Sequence, residues 1–272
     1  MGNRLSRRLK TQAPPSGEID AVIHIQLMSD VHLETSQYEF DFPVAAENLA
    51  LLGDIGNTVD DALFKWLDVQ LKQFERVFFL AGNHEAYRSN LADSRRRLQR
   101  YADRNDRFIY LNRTRYDMSP TLTILGCTLW SALDPKYVSH IYMGLSDFRQ
   151  ISDFGTAAYA KEHRRDLDWL VKTIQDIRSK EPLRHLVVFT HHTPTFDGTS
   201  SPRYEGSMAG SAFSTELTNK AWWGAPLVLW AFGHTHYSCD FTIKGVRLVS
   251  NQKGYFRDRA EGFIEEKVLE LR

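Results

Sequence analysis

Residues 227–236 read LVLWAFGHTH, so that six apolar residues run directly into a glycine followed by two spaced histidines. A short run that is apolar throughout is typical of a strand buried on both faces in an α/β fold. Residues at i and i+2 of an extended chain point to the same side, so His234 and His236 can act together. The stretch therefore predicts a core strand whose end delivers two imidazoles to one place.

Four other apolar runs along the chain also end in polar clusters. These clusters are Asp30-Val31-His32, Gly53-Asp54, Gly82-Asn83-His84-Glu85 and His191-His192. Because functional groups of α/β sheets gather where strands end, we expect the clusters to meet in space. Together they offer more imidazole nitrogens and side-chain oxygens than one cation needs, which suits two cations. Glycines at positions 53, 82 and 233 allow the backbone to approach a metal or a phosphate closely.

The rest of the chain alternates strands with helices. Helices are predicted from about Asp60 to Phe74, from Glu85 to about Asp103, and from Ala157 to Ile177. Strands are predicted at Ala21–Ser29, Leu49–Leu52, Arg76–Leu80, Phe108–Leu111, Leu122–Leu125, Thr128–Trp130, Leu186–Thr190, Leu227–Phe232, Val246–Val249 and Phe263–Leu269. Residues 133–157 look irregular, and residues 193–214 form a long polar loop of a kind that is usually functional or mobile.

The ordered blocks D-x-H, G-D, G-N-H-[ED], H and G-H-x-H closely resemble the calcineurin-like metallophosphoesterase superfamily, and they extend from Asp30 to His236. The resemblance implies an α/β fold in which two packed mixed sheets are flanked by helices, a four-layer α-β-β-α sandwich. Residues 18–272 would form the catalytic domain, and residues 1–17 would be a flexible basic arm. The resemblance also implies a dinuclear metal phosphohydrolase that cleaves a phosphomonoester or phosphodiester by in-line attack of a metal-bridging hydroxide.

The resemblance assigns a role to each matching residue. One metal would be held by Asp30, His32 and His236, the other by Asn83, His191 and His234, and Asp54 would bridge the two. His84 would face the substrate, stabilise the phosphoryl oxygens and help to protonate the leaving oxygen. The mixed nitrogen and oxygen ligands of two such divalent ions favour Mn, Fe or Zn over an all-oxygen Mg site.

Several neighbouring residues leave alternatives open. The family pattern selects His191 over His192 as the ligand, although a shift of the turn would exchange them, and the other becomes a pocket-wall or hydrogen-bonding residue. In the loop of residues 193–214, Arg203 and Tyr204 could contact the substrate, because loops at this edge carry function often. Solvated loop residues are the more frequent outcome.

Three further residues have an ordinary structural explanation. Glu85 is expected to favour a helix N-terminus through the helix dipole rather than to act in catalysis. Tyr87 and Trp130 could form walls of the pocket, and core packing is the alternative.

The substrate class can be narrowed by what the sequence lacks. Ser/Thr protein phosphatases carry G-D-x-x-D-R-G, whereas residues 53–59 read GDIGNTV and have no arginine. With 34 basic and 34 acidic residues, the chain gives no strong nucleic-acid signal, because such binding is driven by basic surface. We therefore expect a small-molecule phosphate ester. The alternative is a catalytically silent scaffold of the same fold, disfavoured because every ligand position and His84 match.

The N-terminal arm carries a lipidation pattern. Residues 1–6 fit the myristoylation signature M-G-x-x-x-[ST], so Gly2 is the predicted acceptor. One myristoyl chain binds membranes only marginally, and basic residues at positions 4, 7, 8 and 10 would supply a second signal. An ordinary disordered arm is the alternative. Two cysteines and no apolar run of membrane-spanning length indicate a cytoplasmic protein, with peripheral membrane association through the arm.

Overall fold

The computed structural model describes residues 22–272. Gly2 and the basic arm, on which the predicted membrane contact rests, lie outside these residues. The described strands are β1 Ile23–Met28, β2 Asn48–Leu52, β3 Arg76–Leu80, β4 Phe108–Tyr110, β5 Thr114–Asp117, β6 Leu122–Cys127, β7 His185–Thr190, β8 Leu227–Phe232, β9 Cys239–Ile243, β10 Val246–Ser250, β11 Gly254–Tyr255, β12 Asp258–Arg259 and β13 Val268–Leu271. The α-helices are α1 Asp61–Gln73, α2 Leu91–Ala102, α3 Val138–Gly144, α4 Asp147–Gln150 and α5 Thr156–Lys180.

The strands form two large mixed sheets. The first has the order β13-β1-β2-β3-β4, in which β1 to β4 are parallel and β13 is antiparallel at one edge. The second has the order β5-β6-β7-β8-β10-β9, with a parallel centre and antiparallel edges. Parallel strands end at the same edge of their sheet, which brings the polar clusters together.

Three apolar layers hold the sheets and helices together. Between the sheets, β1 residues such as Leu27 meet Phe189 of β7. On the outer face of the first sheet, Leu67 of α1 packs with β2 and β3, and on the outer face of the second, Ile174 of α5 packs with Trp230. Burying a side chain of this size contributes about 1.5–3 kcal/mol. The predicted α-β-β-α sandwich is therefore confirmed, and sheets covered on both faces explain the continuous apolar runs.

Several predicted boundaries were wrong. The helix expected from Glu85 begins only at Leu91, where the side chain of Asn90 caps it by accepting a hydrogen bond from the Asp93 amide at 2.9 Å. No strand forms at Thr128–Trp130, because Leu129 and Trp130 adopt φ values of 72° and 50°. The last strand begins at Val268 rather than Phe263, since residues 263–267 instead form the turn that leads into β13.

Two segments have more structure than their sequences suggested. Residues 133–157, which look irregular, contain the short helices α3 and α4. The strands β11 and β12 form a small hairpin, in which Gly254 has a φ of 76° and Gly254 pairs with Arg259. Among residues 22–272, none of the helices combines the length and apolar composition that a membrane span requires.

Candidate metal centre

The predicted ligands lie in loops that leave the strands in an unusual backbone conformation. Asp30, His32, Asp54, His234 and His236 all have positive φ angles, between 50° and 75°. Side chains other than glycine rarely adopt this left-handed region, and such strain tends to collect at functional sites. The turns after β1, β2 and β8 are therefore held by their surroundings and not by local preference.

One group of candidate ligands consists of Asp30, His32 and His236. The Nε2 atoms of His32 and His236 lie 3.0 Å apart, and His236 Nε2 lies 3.5 Å from Asp30 Oδ1. His32 and Asp30 are fully buried, whereas about a quarter of the His236 side chain is exposed. One candidate ligand atom from each residue lies within 4.8 Å of the others.

A second group surrounds His191. Its Nε2 atom lies 3.1 Å from His234 Nδ1, 3.1 Å from Asn83 Oδ1 and 3.5 Å from Asp54 Oδ2. The same Asp54 oxygen lies 3.9 Å from His32 Nε2, so this carboxylate stands between the two groups. Asp30, Asp54 and Asn83 follow strands of the first sheet, while His191, His234 and His236 follow strands of the second.

The spacing of these atoms suits divalent cations. Zinc and similar ions bind imidazole nitrogen at about 2.0–2.1 Å, so two such ligands at a right angle lie about 3 Å apart. The nitrogen pairs of both groups match this separation. The outer nitrogen of His191 is occupied, since Nδ1 faces the carbonyl oxygen of Leu52 at 2.9 Å. A second partner of this kind fixes the orientation of a ligating imidazole.

Three glycines, which have no side chain, leave space for the candidate ligands. A Cβ atom at position 82 would overlap Asp54 Oδ1 and lie 2.7 Å from His191 Nε2. At Gly53, whose φ is 86°, it would lie 2.5 Å from His191 Nδ1, and at Gly233 it would lie 2.6 Å from Asp30 Oδ2. At these glycines the backbone therefore closely approaches the side chains of the candidate ligands.

The electrostatics of the cluster also favour a cation. Burial alone would raise the pKa of Asp54, but His191, His84 and His32 around it hold that pKa well below its usual range. Burial opposes protonation of His191, yet the Asp54 carboxylate outweighs it and raises the pKa of His191 to about 10. This buried carboxylate therefore draws positive charge onto its neighbours, and a bound cation meets the same demand.

His84 borders the cluster on its accessible side. Its Nε2 lies 3.9 Å from Asp54 Oδ2, and its main-chain N–H donates to Asp54 Oδ1 at 2.9 Å. The ring stacks on Tyr87 with centroids 4.0 Å apart, and about 13% of the side chain is exposed. Burial opposes protonation, but Asp54 raises the pKa of His84 to about 9. His84 is thus placed beside the ligands with a nitrogen that can hold a proton.

Glu85 does not act at a helix N-terminus, contrary to expectation. It is fully buried, and its carboxylate accepts from the amides of Gly82 at 2.6 Å, Asp54 at 3.0 Å and Ile55 at 2.8 Å. Burial and the nearby Asp54 charge raise the pKa of Glu85 to about 7, while these amides favour the ionised form. The side chain joins the loops after β2 and β3 and so fixes the distance between Asp54 and Gly82.

Of the three predicted substrate contacts, one is buried and two are exposed. His192 is fully buried, with Nε2 3.2 Å from the Tyr159 hydroxyl and its ring 4.0 Å from that of His234. It therefore supports a ligand from behind. Arg203 and Tyr204 lie in an exposed 3₁₀ turn and contact each other through a cation–π interaction at 4.7 Å. Their substrate role stays a prediction.

Sequence reasoning missed three residues at the site. Glu34 accepts hydrogen bonds beside His32, Tyr255 packs its ring 4.3 Å from that of His32, and Asp147 bonds the Asn83 amide at 2.8 Å. For Glu34, the sequence offered one signal, namely its position two residues after His32. Tyr255 and Asp147 come from segments far away in the chain. Of the predicted walls, Tyr87 stacks on His84, whereas Trp130 is buried in an apolar cluster that also contains Tyr87.

Known proteins share this fold. The chain is 28% identical to an uncharacterized protein of Acanthamoeba polyphaga mimivirus over 261 residues, covering 86% of this chain and 92% of the viral protein. Its structure is similar to that of phosphopantetheinyl hydrolase from Mycobacterium tuberculosis, with a TM-score of 0.66 and 15% identity over 93% of this chain and 97% of that one. TT1561 of Thermus thermophilus is also similar, with a TM-score of 0.50 and 12% identity over 86% and 90% of the two chains.

At such low identities the two solved structures show the fold alone. The sequence profile described as Calcineurin-like phosphoesterase matches residues 23–238, which is most of the chain and includes all five polar clusters. The match therefore covers the strands and the loops that build the candidate metal centre. The chain belongs to the calcineurin-like phosphoesterase family.

Proposed function

We propose that this protein hydrolyses a small phosphomonoester or phosphodiester at a centre of two divalent cations. The observation that carries the proposal is the position of Asp54. One oxygen of this buried carboxylate lies within 3.9 Å of an imidazole nitrogen from each ligand group and of His84 Nε2. A carboxylate shared by two ligand sets is what two neighbouring cations require.

The residues that would hold the cations are those predicted from the sequence. Asp30, His32 and His236 would hold one, Asn83, His191 and His234 the other, and Asp54 both. When bound, the two cations would supply Lewis-acid polarisation of the phosphate and a hydroxide nucleophile near neutral pH. The nitrogen-rich ligand set suits Mn, Fe or Zn.

His84 is placed to manage the leaving group. Among the histidines around Asp54, His84 has a partly exposed side chain. Its Nε2 atom is the nitrogen that faces Asp54. As the bond from phosphorus to the leaving oxygen breaks, the electron pair stays on that oxygen, and Nε2–H donates its proton there. General acid catalysis of this kind contributes about 10²–10⁴-fold.

Hydrolysis of p-nitrophenyl phosphate and bis-p-nitrophenyl phosphate tests the proposal. Chelator-treated protein is supplied with Mn, Fe, Zn or Mg, and His84→Ala and Asp54→Asn are compared with the wild type. We expect turnover to require added metal and to fall by about 10²–10⁴-fold in His84→Ala. His140→Ala is the matched control, because His140 is exposed and lies outside both ligand groups.

The outcomes separate the proposed enzyme from a scaffold. The preferred ester distinguishes monoesterase from diesterase activity. If the wild type binds two metals but hydrolyses neither ester and none of a panel of cyclic nucleotides and nucleotide diesters, the result favours the catalytically silent scaffold. Equal activity of the wild type and Asp54→Asn would show that the reaction occurs elsewhere.

A further inference from the structure

Glu34 lies between a metal-ligand candidate and the proton-donor candidate. It belongs to the 3₁₀ turn Leu33–Thr35 that directly follows His32. A single oxygen, Oε1, lies 3.0 Å from His32 Nδ1 and 3.0 Å from His84 Nδ1. The rings of the two histidines meet edge to face, with centroids 4.5 Å apart. One carboxylate oxygen thus joins two imidazoles whose other nitrogens face the metal centre.

The chemistry of a carboxylate fixes the protons on both rings. An ionised carboxylate can only accept hydrogen bonds, so each Nδ1 atom must carry the hydrogen. For His32, this leaves the Nε2 lone pair directed at His236 Nε2, 3.0 Å away. For His84, Nε2 is the nitrogen that faces Asp54 at 3.9 Å, and in the imidazolium form, where both nitrogens carry hydrogen, Nε2 holds the proton that the leaving oxygen receives.

We propose that Glu34 is a positioning residue that accepts hydrogen bonds from Nδ1–H of both His32 and His84, and so holds the His84 ring with Nε2 directed at the metal centre. This inference rests on the proposed function, since it concerns the reaction of the same site. Without Glu34, His84 loses the partner of its Nδ1–H, and the ring is free to rotate away from the leaving oxygen. The side chain does not touch the reacting atoms itself.

The surroundings of Glu34 support positioning over a third cation site. A third cation bound by Glu34 would have to use Nδ1 of His32 while Nε2 of the same ring binds a cation of the metal centre. Ligand oxygens lie about 2.0–2.2 Å from zinc. Each O···N separation of 3.0 Å fits a direct hydrogen bond. Within residues 22–272, Oε2 is buried without a hydrogen-bond partner, so the bonding of this carboxylate goes to the two imidazoles.

The consequence for the reaction depends on the leaving group. When the bond between phosphorus and oxygen breaks, a strongly basic leaving oxygen needs the proton from His84 Nε2, whereas p-nitrophenolate is stable without one. Loss of Glu34 should therefore slow esters of basic alcohols much more than aryl esters with acidic phenols. A merely structural loss would slow both to the same degree.

Steady-state kinetics of Glu34→Gln with saturating metal test this expectation. We expect kcat/KM for phenyl phosphate to fall by about 10–100-fold, the usual effect of removing such a supporting partner, with a much smaller fall for p-nitrophenyl phosphate. In a His84→Ala background, Glu34→Gln should add little, because both changes remove the same proton donor. Glu39→Gln is the matched control, an exposed glutamate in the same loop.

A second measurement examines the hydrogen bonds without relying on turnover. Nitrogen-15 NMR of histidine-labelled, zinc-loaded wild type should show a hydrogen on Nδ1 of both His32 and His84, and Glu34→Gln should move the His84 Nδ1 proton resonance upfield as its hydrogen bond weakens. A wild-type His84 without a hydrogen on Nδ1, equal losses for both esters, or a third equivalent of bound metal that Glu34→Gln abolishes would overturn the proposal. An inactive wild type would count against the proposed function alone, and the NMR result would still decide the role of Glu34.

Discussion

Gly82→Ala is the sharpest test of how tightly the centre is packed. The backbone of Gly82 does not adopt a positive φ, so alanine introduces a steric change without backbone strain. The new Cβ would overlap Asp54 Oδ1 and lie 2.7 Å from His191 Nε2. Ordinary carbon contacts are about 3.5 Å or longer, so His191 must retreat by about 0.8 Å and Asp54 by more.

A displacement of this size should affect activity more than stability. Misplacing a reacting group by about 1 Å costs roughly 10²-fold in rate, whereas overpacking a core costs about 1–3 kcal/mol. We therefore expect metal-saturated Gly82→Ala to hydrolyse p-nitrophenyl phosphate about 100-fold more slowly. Calorimetric titration should show weaker binding of the metal that His191 holds, and urea denaturation should show a modest loss of unfolding free energy.

The control is Gly144→Ala. Gly144 ends α3, and a Cβ there meets no atom within 4 Å. Alanine at this position should leave turnover unchanged and stabilise the helix by at most about 1 kcal/mol. Wild-type metal affinity together with a rate loss below about tenfold in Gly82→Ala would refute the packing argument, since the ligands would then have moved without consequence.

Three further substitutions test other parts of the structure. Glu85→Gln should lower the unfolding free energy by about 2–4 kcal/mol in urea titrations, because its amide nitrogen would face buried N–H donors; a loss below about 1 kcal/mol would contradict this role. Hydrogen bonds from Arg247 and, to a smaller extent, from Lys267 lower the pKa of Asp240 from its usual 3.8 to about 2. The stability that this carboxylate gives to the folded protein is therefore complete above pH 3.8 and is lost as the pH falls through about 2. Asp240→Asn should cost about 1 kcal/mol at neutral pH, discounted for exposure, and an unfolding difference that stays constant down to pH 2 would argue against this. Tyr255→Ala should raise KM for aryl phosphates about tenfold with kcat nearly unchanged, because the ring offers uniform binding beside His32; an equal fall in kcat and kcat/KM would exclude that role.

The proximity of the candidate ligands could be predicted because each follows an apolar strand. The end of a parallel strand fixes where a residue lies even when its contacts are unknown. Asp54 and His191 are 137 positions apart in the sequence and follow strands of different sheets, yet Oδ2 of Asp54 lies 3.5 Å from Nε2 of His191. The fold was predictable for the same reason, since strands covered on both faces leave continuous apolar runs.

Roles that depend on tertiary contacts could not be predicted. Glu85 looks like a helix-start residue, but its partners Asp54 and Ile55 lie about thirty residues earlier in the chain. Tyr255 lies beside His32 in a hairpin strand that begins at Gly254, a residue with a positive φ. Leu129 and Trp130 have strand-like sequences but left-handed backbones, which only the surrounding packing can impose.

Because the candidate ligands are divided between the two sheets, cations bound there would link one sheet to the other. Asp30, Asp54 and Asn83 belong to one sheet and the histidines at positions 191, 234 and 236 to the other, so separating the sheets would release the cations. Each tenfold rise in free metal above its dissociation constant would then add about 1.4 kcal/mol to the free energy of unfolding. Metal supply would thus govern how long the folded protein lasts, as well as whether it can react.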